Sequence, residues 1–294
     1  MRASVIIPVF NQSKQLNVTL RALENQELSD GYCFDVIVID DGSHIPISNY
    51  VVKDKYSFDL QIVSQKNMGR SAARNAGVSL AKSDIIIFCD SDRFPDTRFV
   101  QKHLDAHKDN IFTVAIGLVK EVYVSDIERV LLKLHENKDY YMKKSHIPAY
   151  CRSVYEIYDT NGKTNSGIPW VSTFSGNMSI SKKSFDMVNG FDLMFSEWGL
   201  EHFDLGYRLW KSGCIFLKND ATNFHISHRR NLVEMNRNIK SSIAYMIEKY
   251  QDTNIQLFGR FMLEGYPLQL VEINKNAEWI KRVDRNIIFH IGDI

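Results

Sequence analysis

Two carboxylates one residue apart, Asp90 and Asp92, close the apolar run Ile85–Cys89 and could hold a hard cation. At a strand end, one of them can bind a divalent ion while the other binds a water or a hydroxyl. Such a cation would neutralise the charge that builds on a diphosphate oxygen as its bond to carbon breaks. Acidic turns are common, so Asp-x-Asp alone decides nothing, and the surroundings must speak. A second acid pair, Asp40-Asp41, ends the run Val36–Ile39 and is followed by Gly42-Ser43. Between the two pairs lies Asn67-Met68-Gly69-Arg70-Ser71-Ala72-Ala73-Arg74-Asn75-Ala76-Gly77. Its small residues let a helix pack closely, and Arg74 and Asn75 fall in the first turns, where the helix dipole also favours an anion. Further along, Glu201-His202 sets an acid beside an imidazole able to act as a general base near pH 7. His225 and His228 stand three residues apart after another apolar run.

The elements that would carry these residues alternate. Ser4–Val9, Val36–Ile39, Leu60–Ser64 and Ile85–Cys89 read as strands, and β-branched runs without polar alternation indicate burial on both faces. Leu16, Leu20 and Leu23 recur at helical spacing, and Ser71–Ala81 is the second helix. Strand, helix, strand, helix predicts a mostly parallel α/β sheet flanked by helices. In such sheets ligands bind beyond the carboxyl ends of the strands. Pro8, Asp40-Asp41 and Asp90-Ser91-Asp92 all follow such ends, so one crevice would gather them. From Asp126 the pattern changes. Ile127, Val130, Leu131 and Leu134 suit an amphipathic helix, Asp159–Gly167 reads as a mobile polar loop, and Val171–Ser181 as a strand interrupted at Gly176-Asn177. A helix over Glu201–Lys211 and a strand at Cys214–Leu217 follow, and amphipathic helix dominates after Arg230.

The 294 residues suffice for one large domain with an extension. A net charge of +1, from 36 Lys+Arg against 35 Asp+Glu, leaves no electrostatic footprint for nucleic acid. Cys33, Cys89, Cys151 and Cys214 lie far apart without metal spacing and read as reduced thiols. No apolar run approaches the roughly 20 residues that span a bilayer, and Val5-Ile6-Ile7 is too short for a signal-peptide core. The expectation is a cytoplasmic protein, at most peripheral on a membrane, with its oligomeric state open.

Taken in order, Val5-Ile6-Ile7-Pro8-Val9-Phe10-Asn11, Val38-Ile39-Asp40-Asp41-Gly42-Ser43, Asn67-x-Gly69-x-x-x-Ala73-Arg74-Asn75-x-Gly77 and Asp90-x-Asp92 resemble the signature of family 2 glycosyltransferases. The resemblance implies a GT-A fold and a UDP-sugar donor. It places Pro8, Phe10, Asn67 and Asp40 or Asp41 at the nucleoside, Arg74 near uracil or phosphate, Asp90 with Ser91 at the ribose, and Asp92 on Mn²⁺ or Mg²⁺. A second block, Phe174-Ser175-Gly176-Asn177 … Asn189-Gly190-Phe191-Asp192 … Trp198-Gly199-Leu200-Glu201-His202-Phe203-Asp204, is similar to the acceptor half of chondroitin polymerases, β-1,4-galactosyltransferases and polypeptide N-acetylgalactosaminyltransferases. There the tryptophan packs against sugar and an acid removes the proton from the attacking hydroxyl, which implies Trp198 and Gly199 at the acceptor.

Where the inverting relatives carry their second acid, this chain has His202, so the base is Glu201 or His202. Asp204 and Arg208, four apart, read as a structural ion pair. The relatives take a further metal ligand from the region of Asn223–Arg230, which implies His228, with His225 as a second ligand if the chain turns between them. The reading is then residues 1–230 as a catalytic domain, divided into a nucleotide-sugar half (1–125) and an acceptor half (126–230), with 231–294 as a helical extension. The expected reaction is a single, non-processive and inverting transfer to a glycan, lipid-linked sugar, peptide or small molecule. The alternative is a catalytically weak sugar-nucleotide binder or partner subunit. A nucleotidyltransferase is disfavoured because Phe10-Asn11-Gln12 replaces its Gly-rich loop, and a processive synthase because Gln-x-x-Arg-Trp is absent.

Overall fold

Runs of branched apolar residues need cover on both sides, and the sheet supplies it. The computed structural model describes residues 1–52, 55–124, 126, 143–195, 199–227 and 231–264. Its elements in chain order are β1 (Arg2–Val9), α1 (Ser13–Glu24), β2 (Cys33–Asp40), β3 (Asp59–Ser64), α2 (Arg70–Leu80), β4 (Ile85–Cys89), β5 (Arg93–Pro95) and α3 (Phe99–Asp105). They continue with β6 (Thr113–Tyr123), α4 (Ala149–Tyr155), β7 (Asn177–Ser181), α5 (Lys182–Met187), α6 (Glu201–Lys211), β8 (Ile215–Ser227), α7 (Leu232–Tyr250) and α8 (Thr253–Glu264). The described strands form one eight-stranded sheet in the order β3-β2-β1-β4-β7-β6-β8-β5. β3, β2, β1 and β4 are parallel, β7 runs against both β4 and β6, β8 follows β6, and β5 opposes β8.

Side-chain alternation sorts the core into layers. Ile6, Ile37, Ile39, Ile86 and Phe88 face the layer that holds α2, α4, α6, α7 and α8. Val5, Ile7, Val36, Val38 and Ile87 face α1 and α3, where Leu16, Leu20 and Leu23 are buried as their spacing predicts. Strand order reverses direction of growth at β1, since β2 lies on one side and β4 on the other. The β1–β4 pairing stops at Ile6–Phe88, while β1–β2 runs on to Val9–Asp40. The chain ends beyond Phe88 therefore splay apart, which is the crevice that parallel α/β sheets offer a ligand.

Two expected features take another form. Only Asn177–Ser181 of the expected strand Val171–Ser181 is extended, and Pro169–Ser172 is a 3₁₀ turn. Pro169 brings no N–H to a ladder, and Ser172 and Thr173 donate their hydroxyls to the carbonyls of Pro169 and Trp170, both at 2.7 Å. The stretch Asp159–Gly167 is a fixed turn, not a free loop. Asp159 accepts from the N–H groups of Asn161 and Lys163, and the Lys218 N–H donates to the Gly162 carbonyl. The helix expected over Ile127–Leu134 and the chain from 265 onward lie outside the described residues.

α3 and the turn that follows it also press two histidines against β7. His103 meets Ser179 Oγ at 2.9 Å through Nδ1 and Asn177 Oδ1 at 3.0 Å through Nε2, and His107 Nε2 meets Ser179 Oγ at 2.9 Å. Burial lowers His103 from 6.5 to about 3 and His107 to about 4. Their contribution is complete above the unfolded value near 6.5 and is lost as pH falls towards the folded values. Stability should therefore drop by about 1.4 kcal/mol per pH unit for each histidine between pH 6.5 and 4. Urea midpoints measured across that range check this, and a midpoint unchanged from pH 7 to 4.5 would refute it.

Candidate active site

The crevice is built from the strand ends inward. Asp40, at the end of β2, accepts from the backbone N–H groups of Ser43 and Ile47, each at 3.0 Å. Asp41 accepts from Gln65 Nε2 at 2.7 Å, Met68 N at 3.0 Å and Gly69 N at 2.9 Å. These acids hold the loops 43–47 and 65–69 together. Gly42 sits at φ +80, and a Cβ there would stand 2.8 Å from the Asn67 nitrogen, so the loops touch where only glycine fits. Asn67 is exposed on this rim. Phe10 is 43% exposed and meets the His44 ring edge-on, while Pro8 is buried within β1. Ser91 turns into the fold, donating to Gln12 Oε1 at 2.7 Å and accepting at its carbonyl from Thr19.

Arg74 was expected to face an anion, and the structure turns it inward instead. Only 1% of its surface is exposed. One terminal nitrogen donates to Glu201 Oε1 at 2.9 Å and the other to Asp90 Oδ1 at 2.8 Å, with the guanidinium lying 5.4 Å from the centre of the Phe191 ring. A planar fork matches two carboxylates, so this arginine ties the first acid of Asp-x-Asp to the acid at the start of α6. Asn75, next to it, pairs with the Phe191 backbone in both directions. Arg93 Nε reaches Asp90 Oδ2 at 3.4 Å. Burial would raise the Asp90 carboxyl, and the charges of Arg74 and Arg93 more than reverse that, so it stays ionised. Gly176 makes room for this cluster, since a Cβ would meet Arg93 Nε at 2.3 Å and Asp90 Oδ2 at 2.5 Å.

Asp92 points elsewhere. Its Oδ2 lies 3.6 Å from His225 Nε2, while His225 Nδ1 meets Glu121 Oε1 at 2.9 Å. His225 is buried. Burial lowers its pKa, and the Asp92 and Glu121 carboxylates outweigh that and raise it. Among the described residues no group of three His, Cys, Asp or Glu is arranged around one point, and His228 lies outside them. The Asp92–His225 pair nevertheless fits a divalent ion. The donors are a carboxylate and an imidazole, close enough for each to stand about 2.1 Å from one ion.

Across the crevice, Gly199 (φ +124) and Leu200 (φ +69) make the left-handed turn that opens α6, and Ser242 of α7 donates to the Gly199 carbonyl at 3.0 Å. Trp198 lies outside the described residues. Glu201 is buried, with Oε1 on Arg74 and Oε2 without a hydrogen-bond partner among the described residues. Burial pushes its carboxyl up, and His202, Arg74 and Arg70 more than reverse that, holding it far below the usual carboxylate range. His202 is partly exposed, and its Nδ1 lies 3.7 Å from Glu201 Oε1, an ion-pair distance. Asp204 and Arg208 form the expected pair, and Lys249 and Tyr250 of α7 add further donors to Asp204.

Asp90, Asp92, Arg74, Glu201 and His225, all marked by motifs in the sequence, meet Arg93, Glu121 and Asn223, which no motif marks. The Asn223 amide bridges Arg93 and the Gly176 carbonyl. Arg93 directly follows Asp-Ser-Asp and could have been suspected. Nothing local marks Glu121.

A mostly parallel sheet with helices on both faces and acids at adjoining strand ends defines the GT-A nucleotide-diphospho-sugar transferase fold, and solved structures share it. The chain matches Staphylococcus aureus TarS 1-349 in complex with UDP-GlcNAc at TM-score 0.61 and 16% identity, over 89% of this chain and 73% of that one. It matches GalNAc-T7 with UDP, GalNAc and Mn²⁺ at TM-score 0.61 and 14% identity, over 89% and 50%. Glycosyl transferase family 2 matches residues 4–188, and the N-terminal domain of galactosyltransferase matches residues 159–230. The chain belongs to glycosyl transferase family 2 and is a glycosyltransferase. It is 30% identical to the uncharacterized glycosyltransferase YfnE of Bacillus subtilis, over 86% of this chain and 71% of that protein. It is 31% identical to the chondroitin synthase of Pasteurella multocida over 72% of this chain, but spans only 23% of that larger protein. No helix among the described residues is long and apolar enough to cross a membrane.

Proposed function

We propose that the chain transfers a sugar from a UDP-sugar to an acceptor hydroxyl, with inversion, one transfer per encounter. The observation that carries this reading is the Asp92–His225 pair, 3.6 Å apart, beside the Asp90–Arg74–Glu201 chain at the strand ends. Phe10, Asn67 and the loops tied by Asp40 and Asp41 form the nucleoside rim, and the exposed part of Asp90 faces the ribose. Asp92 and His225 would hold Mn²⁺ or Mg²⁺, with His228 as the further ligand that family resemblance implies. Bound there, the ion would neutralise charge on the departing UDP.

Arg74 serves structure in this scheme. By pairing with both Asp90 and Glu201 it fixes the donor side and the acceptor side at one spacing, and spacing governs in-line attack. Glu201, ionised and locked on Arg74, orients its neighbour. His202, the more exposed of the two, accepts the proton from the acceptor hydroxyl. The fixed turn at Asp159–Gly167 gives no lid in this reading. The UDP-GlcNAc and the UDP bound in the two fold neighbours support a UDP-sugar as donor.

A screen of UDP-sugars for released UDP, run with Mn²⁺ and with chelator, tests the proposal. One or a few donors should turn over, stimulated by Mn²⁺ and silenced by chelation. Tight UDP binding with no release from any donor would favour the sugar-nucleotide binder instead, which His202 in the acid position otherwise leaves as the second reading.

A further inference from the structure

β6 and β8 run parallel, with Glu121 directly across from His225 in the ladder. The Glu121 carboxylate accepts from His225 Nδ1 at 2.9 Å. An imidazole that donates through Nδ1 presents, in its neutral form, a lone pair on Nε2. That nitrogen is the one 3.6 Å from Asp92 Oδ2. Glu121 is itself held from a third direction. Its N–H donates to the His146 carbonyl at 2.7 Å, and the His146 N–H donates back to the Glu121 carbonyl at 3.0 Å. The His146 Nε2 also lies 3.8 Å from Glu121 Oε2. Glu121 is thus clamped between β8 and the His146 segment, with its carboxylate mostly buried, at 17% exposure.

We infer that Glu121 is a positioning residue for the metal site: it fixes the tautomer and the ring plane of His225, so that Nε2 and the Asp92 carboxylate face one divalent ion. This rests on the metal-dependent reading above. A carboxylate behind a ligating histidine raises the basicity of the ligand and removes its rotational freedom. Removing such a partner usually costs 10–100-fold in metal affinity.

The test titrates MnCl₂ into the full chain in the presence of saturating UDP, with bound Mn²⁺ read by electron paramagnetic resonance and folding by circular dichroism. Glu121→Ala should weaken Mn²⁺ binding by about 10–100-fold. Glu121→Gln, whose amide oxygen still accepts from Nδ1–H, should recover most of that loss. UDP affinity without metal should be the same in all three proteins. Wild-type Mn²⁺ affinity in a folded Glu121→Ala protein would overturn the inference. Should that variant not fold, ¹⁵N spectra of the wild-type histidines with Mg²⁺ and UDP decide the matter: a proton on Nδ1 of His225 supports the inference, and a proton on Nε2 overturns it. Asp92→Ala separates the two levels of argument. If it binds Mn²⁺ as tightly as wild type, the metal site itself is misplaced. If it loses Mn²⁺ while Glu121→Ala does not, only the positioning role fails.

Discussion

Asp92→Ala should abolish metal-stimulated UDP release, by at least 10²–10³-fold in kcat if the ion supplies as much as one preorganised charge contact. The geometry separates this residue from its neighbour. Asp90 has one oxygen on Arg74 and the other 3.4 Å from Arg93, so its carboxylate is tied to two arginines and away from His225. Asp92 instead faces His225, and its backbone carbonyl accepts from the Ile226 N–H at 2.9 Å, which fixes the turn without using the side chain. Asp92→Ala should therefore leave the fold standing, because Glu121 still accepts from His225. Asp90→Ala, by contrast, strips a partner from the buried Arg74 and should cost about 3–5 kcal/mol of stability, the usual result of breaking a buried pair from one side. Initial rates with Mn²⁺ and with chelator, alongside melting curves, check both. Normal metal-stimulated turnover in Asp92→Ala would contradict the assignment.

The first hundred residues were legible because their physics is local. Ile85–Cys89 is buried on both faces, so an unbroken apolar run and a strand are the same statement. Leu16, Leu20 and Leu23 mark a helix face that α1 does bury. Beyond residue 150 the helix Glu201–Lys211 is as plain as those, but two stretches mislead. Val171–Ser181 looks extended, yet hydroxyls at Ser172 and Thr173 satisfy the preceding carbonyls within a turn. Asp159–Gly167 looks free because it is polar, yet the position of Gly162 against Lys218 is set by a strand over fifty residues later. The cleft shows the same division. Asp-x-Asp is visible in sequence, while the burial of Arg74 depends on Glu201, 127 positions away, and Glu121 matters only through a ladder partner 104 positions away. Spacing shows which groups are available, and strand pairing decides which of them meet.

His202→Ala and Glu201→Ala should fail in different ways, and the difference identifies the base. Glu201 is fully buried, paired with Arg74 and held far below the ordinary carboxylate range, so it is charged but a poor proton acceptor. Glu201→Ala leaves Arg74 with Asp90 alone in a buried setting and should lose about 3–5 kcal/mol of stability along with activity. Glu201→Gln, which can still accept from Arg74, should recover much of that stability. His202 makes no such buried pair with Arg74. His202→Ala should keep its melting transition yet lose about 10²–10⁴-fold in kcat, the range expected for removing a positioned base. Added imidazole should restore part of that rate, since the space left beside Phe174 and Phe203 admits a free ring. If the two alanine variants show equal, mild losses, the proton goes to another group. If Glu201→Gln is folded and inactive while His202→Ala turns over normally, the buried acid is the base and the imidazole is the bystander.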